Sequence, residues 1–252
     1  GVGAMYIRPL GMQYYDFLKA LHEQPLFDWS LEIGCRAGRT IAPVRSKTIA
    51  VDPFFQAEIN IIGAKPALHV FQATSDDFFA SGFLKRNDIR ISTCFLDGLH
   101  LFEYLLRDFI NAEAESDPKG VIMMHDCVPF NFGMTTRDLE NLPVGAWTGD
   151  VWKLIPILQA WRPDLVLTVL DCRPTAILAV TGLAPENRVL QQNYDRIVAE
   201  YRGVDIEAWG VERFFQSFCF TNGQAVAEGG FQMFRPGALD PGQELRPQFV
   251  TP

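Results

Sequence analysis

Short apolar runs separated by longer helical or mixed stretches mark this chain between residues 29 and 124, and no other feature constrains its fold as much. The runs fall at residues 29–33, 48–51, 67–71, 91–96 and 121–124, and each reads as a buried strand. Residues 101–114 are the clearest helical separator. Strand, helix, strand, repeated in this way, predicts an α/β chain with a parallel sheet covered on both faces.

Beyond residue 150 the pattern changes. Residues 151–161 predict a helix, with Asp150 placed to cap it. Residues 165–170 and 176–180 predict two strands joined by a connection too short to hold a crossover helix, so they pair antiparallel. A helix is expected over 10–22, where Leu10, Tyr14, Phe17, Leu18 and Leu21 recur at helical spacing, and another over 187–202. The last fifty residues are rich in glycine and proline yet hold Phe214, Phe215, Phe218, Phe220, Phe231 and Phe234. That stretch is too aromatic for a disordered tail and is expected to pack on the domain, as a lid, or on a partner subunit. The expected division is an N-terminal segment over 1–27, a central domain over 28–182 and an extension over 183–252.

The chain has 252 residues, 48% of them apolar, enough for one large core. No apolar run approaches the roughly 18 residues of a membrane helix, and the first residues lack the basic start of a signal peptide. No membrane partner and a cytoplasmic home are expected. Cysteines 35, 94, 127, 172 and 219 form no Cys-x-x-Cys pair, against both a disulfide framework and a zinc site. A net charge of −8 without a basic run argues against nucleic acid and for a small-molecule substrate.

Two groups of residues carry chemistry. The first is Glu32-Ile-Gly34-Cys35-Arg36-Ala-Gly38 at the end of a strand. Its glycines allow close backbone approach to a ligand, and a helix following it would offer free N–H groups. The spacing differs from the Gly-x-Gly-x-x-Gly of dinucleotide sites, and an acid at the loop suits a ligand carrying sulfonium and ammonium groups. Asp52 ends the next strand, where it can accept from ribose hydroxyls or simply make a turn before Pro53. Thr74, Ser75 and Asp76 follow the third strand, where an N-cap cluster is the alternative to a ligand role. The second group is Asp97-Gly-Leu-His100 after the fourth strand and His125-Asp126 after the fifth. Two carboxylates and an imidazole suit a divalent cation, which would lower the pKa of a substrate hydroxyl, and His100 could then take the proton. The alternatives are that Asp97 caps the helix starting near Leu101 and that His125 and Asp126 bond each other or nearby backbone. His22 and His69 read as structural. Trp147, Trp152 and Lys153 could wall a substrate pocket, and Trp161 and Trp209 suit a core equally well.

The stretch Leu31 to Thr40 resembles the first motif of class I S-adenosylmethionine-dependent methyltransferases, Glu/Asp-x-Gly-x-Gly-x-Gly, with Arg36 at the middle glycine. Asp97-Gly-Leu-His100, with Tyr104 and Asp108 following, and His125-Asp126 resemble bacterial O-methyltransferases of the macrocin and catechol type. The resemblance spans about residues 28–182. It implies a doubly wound, mostly parallel, seven-stranded Rossmann-like sheet ending in an antiparallel hairpin. It implies S-adenosylmethionine held by Glu32, Gly34, Cys35, Gly38, Asp52 and Asp97, with Thr74, Ser75 and Asp76 at the adenine. It makes the fourth and fifth strands neighbours, so that Asp97, His125 and Asp126 converge at the positions that hold magnesium. His100 falls where the family has a lysine base. His125 stands for an acid and Asp126 for an amide, a set that suits Mg2+, a softer divalent cation, or no metal. The leading expectation is O-methylation of a small hydroxylated molecule, such as a sugar or natural-product intermediate, by a chain that forms a homo-oligomer. The alternatives are a non-catalytic cofactor-binding scaffold and, on weaker grounds, a nicotinamide oxidoreductase.

Overall fold

The structure, a computed structural model, describes residues 5–243. In chain order these form α1 (Tyr14–Glu23), β1 (Trp29–Ile33), β2 (Lys47–Val51), β3 (Leu68–Phe71), α2 (Ser75–Ala80), α3 (Phe83–Arg86) and β4 (Ile91–Leu96). Next come α4 (Phe102–Ala114), β5 (Ser116–His125), α5 (Leu154–Trp161), β6 (Val166–Asp171) and β7 (Ile177–Thr181). The chain closes with α6 (Val189–Gln192), α7 (Tyr194–Tyr201), α8 (Ile206–Trp209), α9 (Val211–Gln216), β8 (Phe220–Asn222) and α10 (Gly223–Glu228). No helix among the described residues is long and apolar enough to cross a membrane.

The strands make one sheet in the order β3-β2-β1-β4-β5-β7-β6-β8. The first five are parallel, and β7 runs antiparallel between β5 and β6. This is the doubly wound, mostly parallel sheet with an antiparallel hairpin expected from the sequence, with one addition. The eighth strand, β8, pairs parallel with β6 through Phe220, Thr221 and Asn222, so the sheet has eight strands rather than seven. Strand order reverses between β1 and β4, and a crevice forms at the carboxyl ends of strands on either side of such a reversal.

Residues alternate between the two faces of the sheet. Leu31, Ile33, Ile49, Val51, Cys94, Leu96, Ile122, Met124, Leu178 and Val180 lie in the larger core, together with Phe78, Phe102, Leu106, Ile155, Phe214 and Phe215 from the helices. On the opposite face Phe95, Met123, Leu170, Ile177 and Ala179 meet Phe17, Leu18 and Leu21 of α1 and Phe231 and Phe234 of the C-terminal stretch. Each phenylalanine buried this way contributes roughly 1.5–3 kcal/mol. The aromatic residues of that stretch therefore serve both faces of this domain.

Several expectations need correction. No helix follows the Glu32 loop: residues 34–46 make successive turns, with Gly38 N–H on the Cys35 carbonyl (2.7 Å), Ala42 N–H on the Gly38 carbonyl (2.9 Å) and Val44 N–H on the Ile41 carbonyl (3.0 Å). Pro43 cannot donate the next backbone bond of a helix begun at Gly38, so no regular helix develops. Residues 52–67 also lack a helix, which leaves α1 and the C-terminal stretch to cover that face. The N-terminal helix starts at Tyr14 and not at residue 10; Leu10 is exposed, and the N–H groups of Leu10 and Gly11 donate to Asp171. The expected 187–202 helix breaks at Asn193. Asp150 caps a different helix from the one it precedes: it accepts the N–H of Phe102 at the start of α4 (2.9 Å) and binds Lys153 and Arg137.

Candidate active site at the carboxyl ends of β1, β2, β4 and β5

Backbone geometry brings the two predicted groups into contact. The ladder continues past both strands, with Gly34 N–H on the Val51 carbonyl (2.9 Å) and Asp97 N–H on the Ile33 carbonyl (2.8 Å). Gly34 has φ +88°, and a Cβ there would lie 1.9 Å from the Asp97 carbonyl oxygen. Only glycine fits a backbone this close, so the loop after β1 lies directly against the turn after β4.

At the loop end, Glu32 is buried and its Oε2 accepts the Thr40 hydroxyl at 2.7 Å. Burial pushes its carboxyl up to about 8, Thr40 opposes the shift, and the Asp97 charge adds to it. Asp52 accepts Arg36 N–H on one oxygen and Phe54 N–H on the other, each at 2.7 Å. Among the described residues neither Glu32 nor Asp52 has a cationic side chain in ion-pair contact. The Cys35 thiol is buried and donates to the Glu32 carbonyl. Gly38 packs on Ile61. Thr74 caps α2 by accepting Asp77 N–H, the Ser75 hydroxyl donates to Asp108 at 2.5 Å, and Asp76 pairs with Arg107 at 2.7 Å. All three thus have partners within the fold.

At the other end four titratable side chains meet. His100 Nε2 lies 3.3 Å from Asp97 Oδ1 and 3.1 Å from Asp126 Oδ2. His125 Nδ1 lies 3.5 Å and 3.3 Å from the same two carboxylates, yet it is aligned for a hydrogen bond to neither and is a buried nitrogen without a partner. Asp97, His100 and Asp126 each offer a ligand atom within 4.8 Å of the others, a grouping that includes His100 and not the His125 expected from the sequence. Asp97 does not cap α4, whose first N–H goes to Asp150.

The fold holds these groups from several sides. Asp126 takes a left-handed backbone (φ +67°) directly after β5, and the buried Thr175 hydroxyl donates to its Oδ1 at 2.7 Å. His100 Nδ1 sits 2.8 Å from the Trp147 carbonyl, which fits an N–H donor there and leaves Nε2 toward the acids. Behind it, Gly149 (φ +55°) approaches so closely that a Cβ would meet the His100 carbonyl at 1.7 Å. The Trp147 ring lies 5.0 Å from the His100 ring. Tyr14, at the start of α1, stacks on His125 with ring centroids 4.0 Å apart.

Burial pulls the His125 imidazole down, but the Asp126 and Asp97 charges outweigh it and hold the ring above its ordinary value. His100 is raised as well, with burial opposed by Asp97, Asp126 and the Trp147 carbonyl. Burial pushes the Asp126 carboxyl up, but the charges of His125 and His100 and the Thr175 hydroxyl outweigh it and lower the group. Burial and the charges of Asp97, Asp126 and Glu32 push the Tyr14 phenol up to about 12, against Arg39. The phenol therefore feels the acids of both ends.

Of the expected pocket residues, Trp147 stands at the cluster, while Trp152 and Lys153 are fully buried and Lys153 pairs with Asp150. Sequence reasoning missed Tyr14, which helical spacing assigned to a packing face, and Thr175, which lies in the hairpin connection. His22 is buried against Phe27, and His69 packs between Trp29 and Phe83.

A scan of protein-family models finds no match to the sequence, and a search of curated proteins finds none. Solved structures offer distant likenesses. One is the O-methyltransferase TomG from Streptomyces achromogenes, involved in tomaymycin synthesis and in complex with SAM: 17% identity over 67% of this chain and 80% of that one, TM-score 0.48. Another is the O-methyltransferase from Bacillus cereus in complex with SAH: 16% identity over 66% and 80%, TM-score 0.46. A third is the MycE methyltransferase of the mycinamycin pathway, in complex with Mg, SAH and mycinamycin VI: 14% identity over 69% and 49%, TM-score 0.44.

Proposed function

We propose that this chain is an S-adenosylmethionine-dependent O-methyltransferase acting on a small hydroxylated molecule. The observation that carries the reading is the contact of Gly34 with Asp97, which sets two buried acids without ion pairs, Glu32 and Asp52, beside the Asp97–His100–His125–Asp126 cluster. Buried acids without a counter-charge fit a cationic ligand, and one with ribose hydroxyls fits Asp52, whose oxygens each keep a lone pair after accepting one N–H. When bound, the cofactor supplies an electrophilic methyl group on a sulfonium. The chain's own residues bind and orient. Glu32 and Asp52 hold the loop and its ligand, Tyr14 fixes the face of His125, and Trp147 walls the side nearest His100.

Asp97, His100 and Asp126, with His125 beside them, are the residues that would hold a divalent cation, and their mixed oxygen and nitrogen donors fit one. Such a cation would lower the pKa of an acceptor hydroxyl. His100 is the group placed to accept that proton, at Nε2. With the acids facing it uncompensated, its pKa is held above the ordinary imidazole value; once their charge is balanced, the imidazole returns toward that value and can act as a base. The competing reading, a cofactor-binding scaffold without turnover, draws support from the internal partners of Thr74, Ser75 and Asp76.

Calorimetric titration of chelator-treated protein with S-adenosylhomocysteine, with and without magnesium, tests the proposal. Micromolar binding is expected. Absence of binding under both conditions would overturn it, and binding without turnover on any acceptor in a screen of hydroxylated molecules would favour the scaffold.

A further inference from the structure

The helix-free segment between β1 and β2 leaves space over the sheet. Where a crossover helix would pack, Ile41 and Val44 of that segment only partly fill the gap, and a buried cavity remains with about 20 Å³ open to water. Polar residues face it: His22 from α1, Ser30 and Glu32 from β1, Thr48 from β2 and Thr93 from β4. All five are at most 6% exposed. Six buried side-chain polar atoms lack a hydrogen-bond partner among the described residues, and three of them, His22 Nδ1, Ser30 Oγ and Thr93 Oγ1, belong to residues of this one cavity.

A buried polar atom without a partner costs about 1–3 kcal/mol, so three around one cavity demand an explanation. A water needs roughly 10–15 Å³ of such space and two to four polar partners, and the cavity offers both. We propose that this cavity is a hydration site holding a buried water bound by His22 Nδ1, Ser30 Oγ and Thr93 Oγ1, behind the Glu32 carboxyl. The water ties α1 to β1 and β4 and solvates the inner side of the loop's acid, as Thr40 does on the other. This inference does not rest on the methyl-transfer reading.

The test is a high-resolution crystal structure of the full chain, supplemented by xenon pressurisation. Expected is a density peak about 2.7–3.2 Å from at least two of the three atoms, with no xenon in the cavity. The double variant Ser30→Ala, Thr93→Val should lose the peak and admit xenon, because it leaves the space without its hydroxyls. Absence of the peak in the wild type, or xenon occupying the wild-type cavity, would overturn the proposal. A peak that gains anomalous signal when rubidium replaces sodium would also overturn it, in favour of a bound cation. If the double variant does not fold, the wild-type crystals decide alone.

Discussion

At the ends of β1, β2 and β3 every candidate side chain has a partner of its own, whereas at the ends of β4 and β5 four titratable side chains mainly have one another. Asp52 is occupied by two loop N–H groups, Glu32 by Thr40 and Asp76 by Arg107. Asp97 and Asp126 instead face two imidazoles at 3.1–3.5 Å, with one buried nitrogen unaligned and Asp126 in a left-handed conformation. Local rules are satisfied at one end and broken at the other, and broken local rules concentrate where a fold does chemistry. On the proposed function, the first end holds a loop in shape and the second changes charge state.

That contrast breaks most visibly at His100. His100→Ala should lower turnover about 10²–10⁴-fold while leaving S-adenosylhomocysteine affinity within about threefold, since the loop end does not need it. Methyl-labelled cofactor and an acceptor found by screening would provide the assay. Retained turnover would return His100 to a structural role.

At the loop end Glu32 carries a titration within reach of an unfolding experiment. Its folded pKa of about 8 lies above the unfolded value near 4.5, so the protein favours the protonated form. The stability this group contributes is fully present below pH 4.5, declines as pH rises, and is gone above pH 8, a change on the order of a few kcal/mol. Glu32→Gln removes that dependence. Urea unfolding from pH 5 to pH 9 should show the variant gaining on the wild type as pH rises, and parallel curves would mean that Glu32 is ionised in the fold.

Much of this contrast was legible in the sequence, for physical reasons. Buried parallel strands are apolar along their length, so β1 and β4 were placed at their exact residues, and strand ends then located Glu32, Asp52, Asp97 and His125. Partnerships across the chain were not legible. Nothing near Asp150 indicates that it caps a helix starting 48 residues earlier, and nothing near Tyr14 indicates that its ring covers His125. β8 has three residues and no period to detect. The missing helix after the Glu32 loop had a signal in Pro43, five residues beyond Gly38, which interrupts a helical ladder there.

Asp52→Ala probes whether the loop end is held mainly by its own contacts. The variant leaves the N–H groups of Arg36 and Phe54 without their acceptor, and stability should fall by about 1–3 kcal/mol. S-adenosylhomocysteine affinity should fall about tenfold through the lost ribose acceptor and the loosened loop. Lost stability with unchanged affinity would assign Asp52 to the loop alone.

The smallest effect is expected at Arg36, the position where the resembled motif has glycine. Arg36 adopts φ +34°, with its N–H on Asp52 and its carbonyl accepting from Gln56 at 2.7 Å. The loop thus keeps a glycine-like backbone under a residue that resists it, at a cost of about 1–3 kcal/mol. Arg36→Gly relieves this strain but loses roughly 0.5–1 kcal/mol through the freer unfolded chain. The balance is a gain of about 1 kcal/mol, a rise in Tm of about 2–4 °C for a chain of this size. Arg36→Ala keeps the Cβ and should show no gain. If glycine and alanine behave alike, the conformation at Arg36 is unstrained, and the loop end meets its local rules even at the one position where its sequence departs from the motif.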